Sequence, residues 1–253
     1  MIPDPQGTVL ALFLVFCRIG GCMMALPGFS SIRLPATIRL FVALAVSLAL
    51  LPLIWDVVYP RVSVATPTYI GIIFSETLIG TTYGLIARFF ASGLQFAGSI
   101  MAMFMGFNAP PSAPDIVEGN PENPMTSMLV FAGLMMLFAL NFHEIVFRAL
   151  IDSYKVMPVG VFGRDETQRM LITLTDTIDM TFHIMLRLAS PFLLYGLMFN
   201  VSIGMINKLA QQVPIFFISM PYHLMGGLFL LYLCIAALLR QFADAFPSVF
   251  LGH

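Results

Sequence analysis

The nineteen residues Gly106 to Pro124, reading GFNAPPSAPDIVEGNPENP, interrupt a chain that is otherwise almost continuous hydrocarbon, and they hold five prolines and three acids without one Lys or Arg. Such a stretch is no spanning helix. Proline lacks a backbone donor and clashes with the preceding turn, and bilayer hydrocarbon accepts non-helical backbone only where protein or a water-filled cavity surrounds it. Two placements stand open, an external loop or the lining of a pathway. Just ahead of it lie Met101, Met103 and Met105, followed by Gly106 and Phe107. They read either as ordinary packing or as a flexible thioether cluster able to close around something and reopen.

Charged residues make up 10% of the chain against 59% hydrophobic, with a mean hydropathy of +0.92, where a soluble domain carries roughly 25% charged. This composition is that of an integral membrane protein. The fold class it implies is all-α. A helix needs about 20 apolar residues to cross a bilayer, and six or seven stretches fit that length. The N-terminal MIPDPQG has no Lys or Arg, and the apolar run from Val9 exceeds a secretory h-region, so the first span is expected to stay uncleaved. A net charge of −1 offers nothing to nucleic acid or to an anionic lipid surface as a whole. Cys17, Cys22 and Cys234 form no CxxC motif, are odd in number and lie in apolar runs; they read as packing thiols.

The apolar segments are expected at Val9–Phe29, Ile38–Ile54 and Ile70–Ala87, then a short one at Gly93–Phe107 that suits a half-helix stopping at the break. Trp55, Asp56 and Tyr59 form an interfacial belt after the second. Met125 to Leu140 resumes the apolar pattern and runs on to Ile151. Pro158, Gly160 and Gly163 break the chain before an amphipathic helix over Met170–Leu188, on which Asp176, Asp179, His183 and Arg187 share one stripe. Pro191 is expected to bend the chain into a span Phe192–Ile206. Lys208 to Gln212 form a polar turn, and Ile215–Leu239 crosses last, kinked at Pro221, ahead of an amphipathic tail. Lys and Arg are spread thinly over both sets of loops, so the positive-inside rule assigns no orientation. No fixed-period repeat or soluble extramembrane domain is visible, and residues 1–253 read as one membrane module.

Charges inside apolar runs are the costly features. Arg18 at mid-span carries a penalty of about 2.5 to 3.5 kcal/mol on insertion scales. Glu76 is the one acid within an early span, which leaves three readings: an Arg18–Glu76 pair, two separately solvated residues, or a proton relay at Glu76. Glu144 and Arg148 stand at i, i+4 in the favoured order and read as a surface pair. The stripe from Asp176 to Arg187 reads as a solvated or subunit-facing helix side, or as the wall of an aqueous path. Gly80 and Gly84 permit close helix approach, a weak signal among 19 glycines. His143, His183 and His223 lie far apart without HExxH spacing, there is no GxSxG and no Gly-rich phosphate loop, so no catalytic residue, cofactor or metal site is expected.

Taken in order, more specific markers accumulate: Arg18 with Pro27; LPATIRL with Pro35 and Arg39; Gln95, Ala97 and Gly98 as QFAG; Gly106 and the acidic break; His143; Ser153 with Pro158 and Gly160; Pro191, Asn200 and Gly204; Lys208 with Phe216 and Pro221. This ordered set resembles the FliR family, the export-gate subunit of the flagellar type III secretion apparatus, from about Phe16 to Leu231. In KLAQQVPIFFISMP, Lys208, Gln212, Phe216 and Pro221 match the family pattern. Gln211 stands there for a proline, Pro214 for an asparagine and Ser219 for a glycine.

The resemblance implies kinked and broken helical hairpins, a FliP-like part (about 1–165) fused to a FliQ-like hairpin (about 166–253). It implies a non-catalytic subunit in the bacterial cytoplasmic membrane, at the flagellar basal body. There it would assemble with FliP and FliQ homologues, with FlhB and FlhA homologues nearby, into a core raised toward the periplasm, through which unfolded flagellar proteins pass. It also implies a plug loop at Gly106, Phe107, Asn108, Pro110, Pro111, Pro114, Asp115, Glu118, Pro121, Glu122 and Pro124. Met101, Met103, Met105 and Phe107 then act as a gate seal, and Arg18, Glu76, Lys208 and Pro221 as subunit-packing or intramembrane positions. Competing readings are the homologous subunit of a virulence injectisome, a secondary transporter with a midplane site, whose inverted repeats are not visible, and an intramembrane enzyme, for which no nucleophile and base stand at sensible spacing.

Overall fold

The computed structural model describes residues 5–30, 35–62, 66–107, 123–160, 163–209, 212 and 215–251. Among them 91% are helical and none lies in a strand. The elements are α1 (Pro5–Ala25), α2 (Ala36–Val58) with a 3-10 turn at Tyr59–Arg61, α3 (Thr66–Phe104), α4 (Pro124–Ala139), α5 (Phe142–Val156), α6 (Arg164–Leu209) and α7 (Ile215–Leu251). Among the described residues, five helices are long and apolar enough to cross a membrane, and up to six if α4 and α5 count as one broken span.

Three helices run further than the sequence pattern suggests. The third and fourth apolar segments are one 39-residue helix, α3, because no proline stands between Pro67 and Pro110. A lone mid-helix glycine costs only about 1 kcal/mol. Gly93 serves close packing instead: a Cβ there would lie 2.5 Å from Thr181 Cγ2. The second correction is at Pro191, which lies inside the 46-residue α6 rather than starting a new span. Proline deprives the carbonyl four residues back of its amide donor. That carbonyl belongs to Arg187, and Ser190 Oγ donates to it at 2.9 Å, so the helix continues with the acceptor satisfied. The third is α7, which continues past Leu239 through the amphipathic tail to Leu251. Asn141, at φ 54°, supplies the left-handed residue between α4 and α5, a conformation asparagine tolerates better than most side chains.

The chain forms two compact units. One comprises Met1–Phe90, Asn141–Asp179 and Pro247–His253; the other comprises Ala91–Leu140 and Met180–Phe246. In the first, Ala11, Leu14, Val15, Arg18, Ile19 and Cys22 of α1 fall on one buried helical stripe. Of these, Ala11, Leu14, Val15 and Ile19 pack with Ala43, Leu51, Ile54 and Val58 of α2, Ile72 of α3 and Tyr154 of α5. In the second, Leu94, Ala97 and Met101 form a buried stripe of α3 that Met105 continues just past its end. Gly98 lies against Thr126 and Leu129 of α4, and Gly133 against Leu94 and Phe242.

Candidate functional site

Two clusters gather the chemistry. The first is a buried charge centre on α1, α3 and α5. Arg18 and Glu76 are both 0% exposed. Arg18 Nε donates to Glu76 Oε2 at 2.6 Å and Nη2 to Oε1 at 2.9 Å, a two-point arrangement that suits the planar guanidinium. Nη1 donates to Ser153 Oγ at 2.9 Å and Nη2 to the Met157 carbonyl at 3.1 Å. Ser153 Oγ in turn donates to the Leu150 carbonyl. Arg18 Cζ lies 3.8 Å over the Tyr154 ring, a cation–π contact. The cation therefore also meets the C-terminal end of α5, where helix carbonyls favour positive charge.

Glycines bring the pair together. A Cβ at Gly80 would lie 1.8 Å from the Arg18 carbonyl oxygen, one at Gly84 2.4 Å from that of Cys22, and one at Gly21 2.7 Å from that of Thr77. The backbones of α1 and α3 touch along this stripe, so Gly80 and Gly84 are contact positions. Of the readings the sequence leaves open, the Arg18–Glu76 pair is the one found, and the Arg18 penalty is offset by partners within the chain rather than by separate solvation. With both ions fully paired and dry, this centre is a fastener between helices.

The second cluster surrounds the exit of α3. Gly106 N donates to the Met103 carbonyl at 3.3 Å and Phe107 N to that of Ala102 at 3.0 Å, with Gly106 at φ 79°. This is a Schellman stop, and it requires a residue at ease in the left-handed region. The Phe104 carbonyl meets His223 Nε2 of α7 at 2.9 Å. His223 stacks on Phe199 of α6 at 4.1 Å and 5°, and Tyr195 Oη donates to the His223 carbonyl at 2.6 Å. On the far side of the break, Asn123 caps α4 by accepting from Met125 N at 3.0 Å, and Pro124 occupies the first helical turn. Asn123 Nδ2 also donates to the Phe107 carbonyl at 3.3 Å.

The Met positions separate on the helix. Met101 and Met105 are fully buried, Met105 against Gly227 of α7, whereas Met103 is 59% exposed and Phe107 half-buried. Gly106, Phe107 and Pro124 of the plug-loop positions are described. Asn108, Pro110, Pro111, Pro114, Asp115, Glu118, Pro121 and Glu122 lie outside the described residues. Lys208 is exposed in the last turn of α6 and Pro221 lies inside α7. Asp176, Asp179, His183 and Arg187 are all exposed, and Glu144 pairs with Arg148 at 2.6 Å on the surface. Sequence reasoning left Tyr154, Asn123 and Tyr195 unassigned. Asn123 ahead of Pro124 carries a legible capping signal; the other two carry none.

Residues 9–249 match the family model described as bacterial export proteins, family 1. The chain is 30% identical to the flagellar biosynthetic protein FliR of Caulobacter vibrioides over 93% of its own length and 92% of that protein's. It is 25% identical to the FliR protein of Aquifex aeolicus, covering 96% and 92% of the two chains, and 23% identical to that of Escherichia coli, covering 85% and 80%. The resemblance carried by the ordered sequence markers is thus met along nearly the entire chain, and the protein belongs to the bacterial export proteins, family 1.

Proposed function

We propose that this chain is a non-catalytic subunit of the flagellar type III protein export gate in the bacterial inner membrane. With FliP and FliQ homologues it forms the gated pore through which unfolded flagellar proteins leave the cytoplasm. Homologues of FlhB and FlhA adjoin it at the basal body, and the assembled core stands toward the periplasm. Residues 1–165 serve as the FliP-like part and 166–253 as the FliQ-like hairpin. The observation that carries the reading is the near full-length similarity to proteins named flagellar biosynthetic protein FliR.

The geometry of the α3 exit supports the gating part of this reading. Gly106 to Pro124 acts as the plug, tethered on one side by the Schellman stop and on the other by Asn123, whose side chain reaches the Phe107 carbonyl. Prolines restrict the unfolded freedom of such a segment, which lowers the entropic cost of a compact closed form. Met103 and Phe107 offer a flexible apolar seal, while Met101 and Met105 hold the end of α3 in the core. An arriving substrate chain displaces the plug, driven by partner subunits and the proton gradient.

Affinity purification of the tagged chain from its host membrane should recover FliP and FliQ homologues, and the gene should restore motility to a mutant lacking it. Deleting Pro110 to Pro121 should let the assembled gate leak ions or small solutes. Unchanged permeability removes the plug assignment. A stable lone monomer that takes up a metabolite in liposomes overturns the whole reading.

A further inference from the structure

The polar stripe of α6 ends in a groove. His183 and Arg187 line it together with Arg240, Gln241 and Asp244 of α7, around a volume of about 550 Å3. Arg187 and Arg240 are exposed, and neither has an ion-pair partner among the described residues. With two guanidiniums against the single carboxylate of Asp244, the groove is left positive.

Its level along the helices is informative. Beyond Arg187, α6 carries no Asp, Glu, Lys or Arg for 20 residues, until Lys208; ahead of Arg240, α7 carries none back to its start at Ile215. At 1.5 Å per residue the α6 run is ~30 Å long, the thickness of bilayer hydrocarbon. Leu194, Leu197, Phe229 and Leu233 are exposed along these runs. The cationic groove therefore lies where both apolar runs end, which is headgroup level wherever those runs lie in lipid, next to surface that acyl chains can cover.

We propose that this groove binds the phosphodiester headgroup of an anionic phospholipid. The planar forks of Arg187 and Arg240 match phosphate oxygens. Gln241 and Asp244 offer acceptors for headgroup hydroxyls, which a glycerol headgroup carries and choline lacks. The site does not depend on the export role, since it rests on α6 and α7 alone.

The test uses the full-length chain in non-ionic detergent, with native mass spectrometry comparing retained phosphatidylglycerol and phosphatidylcholine. The expected result is preferential retention of phosphatidylglycerol. Arg187→Gln with Arg240→Gln should reduce that preference by about thirty-fold, the combined effect of two basic residues beside an anionic surface. Arg169→Gln, an exposed arginine in the other compact unit, should leave it intact. Asp244→Asn should strengthen it, a gain that misfolding cannot mimic, so the test holds even if the double variant fails to fold. Equal retention of both lipids, an unchanged preference in the double variant, or displacement of the lipid by millimolar inorganic phosphate, which marks a free-anion site, would each overturn the assignment.

Discussion

Arg18 and Glu76, 58 residues apart in sequence, meet in a two-point ion pair that neither solvent nor lipid reaches. Removing one partner leaves the other buried and uncompensated, which costs about 3–5 kcal/mol, whereas replacing both with apolar residues of similar volume is often close to neutral. Arg18→Met and Glu76→Leu should each lower thermal stability in detergent sharply, and the two combined should recover much of the loss. A double variant as unstable as the sum of the singles would contradict this coupling.

The glycine stripe makes a second prediction with an internal control. Gly80→Ala places a methyl within 1.8 Å of the Arg18 carbonyl and must push α1 from α3, loosening the ion pair. Gly204, by contrast, has nothing within 4 Å of a built Cβ, so Gly204→Ala should stabilise the isolated chain by about 0.5–1 kcal/mol through helix propensity. Unfolding midpoints of the two variants should move in opposite directions. Equal shifts would mean that the close approach at Gly80 carries little energy.

A third prediction concerns the continuity of α6. Ser190 Oγ supplies the Arg187 carbonyl with the donor that Pro191 lacks. Ser190→Ala should cost about 1 kcal/mol, but almost nothing when combined with Pro191→Ala, which restores the backbone amide. A double-mutant cycle on thermal stability reads this coupling directly, and additive effects would show that the carbonyl is satisfied otherwise.

The legible and illegible parts of the structure divide along physical lines. Helical class and the stop at Gly106 were readable because hydrophobic length and a glycine ahead of prolines act locally. Arg18 and Glu76 were readable as costly charges, but Ser153, Tyr154 and the Met157 carbonyl were not, since one sequence does not report which distant side chains surround a buried ion. Gly93 and Pro191 were misread as boundaries for the same reason. Gly93 packs against Thr181, and Ser190 satisfies the carbonyl that Pro191 leaves without its donor; local propensity reports neither. The Met positions looked like one cluster in sequence, yet alternation on a helix sends Met103 away from Met101 and Met105.

The last prediction addresses the α3 exit. The carbonyls at the end of a helix lack intrahelical donors, and at the end of α3 that of Phe104 meets His223 while that of Phe107 meets Asn123. His223→Leu keeps bulk but removes the donor, so the Phe104 carbonyl loses a bond of about 1 kcal/mol. His223→Gln keeps a donor and should retain most of it. Asn123→Ala removes both the α4 cap, about 1 kcal/mol, and the link to Phe107. Hydrogen exchange should therefore quicken at the amides of Met105 to Phe107 in His223→Leu and at Met125 to Ser127 in Asn123→Ala, with little change on α1. If the export reading holds, the same two variants should leak ions in the assembled gate more than His223→Gln does, because a plug is held only as firmly as the backbone on either side of it. Faster exchange without leakage would separate the two claims, keeping the anchor and discarding its part in gating.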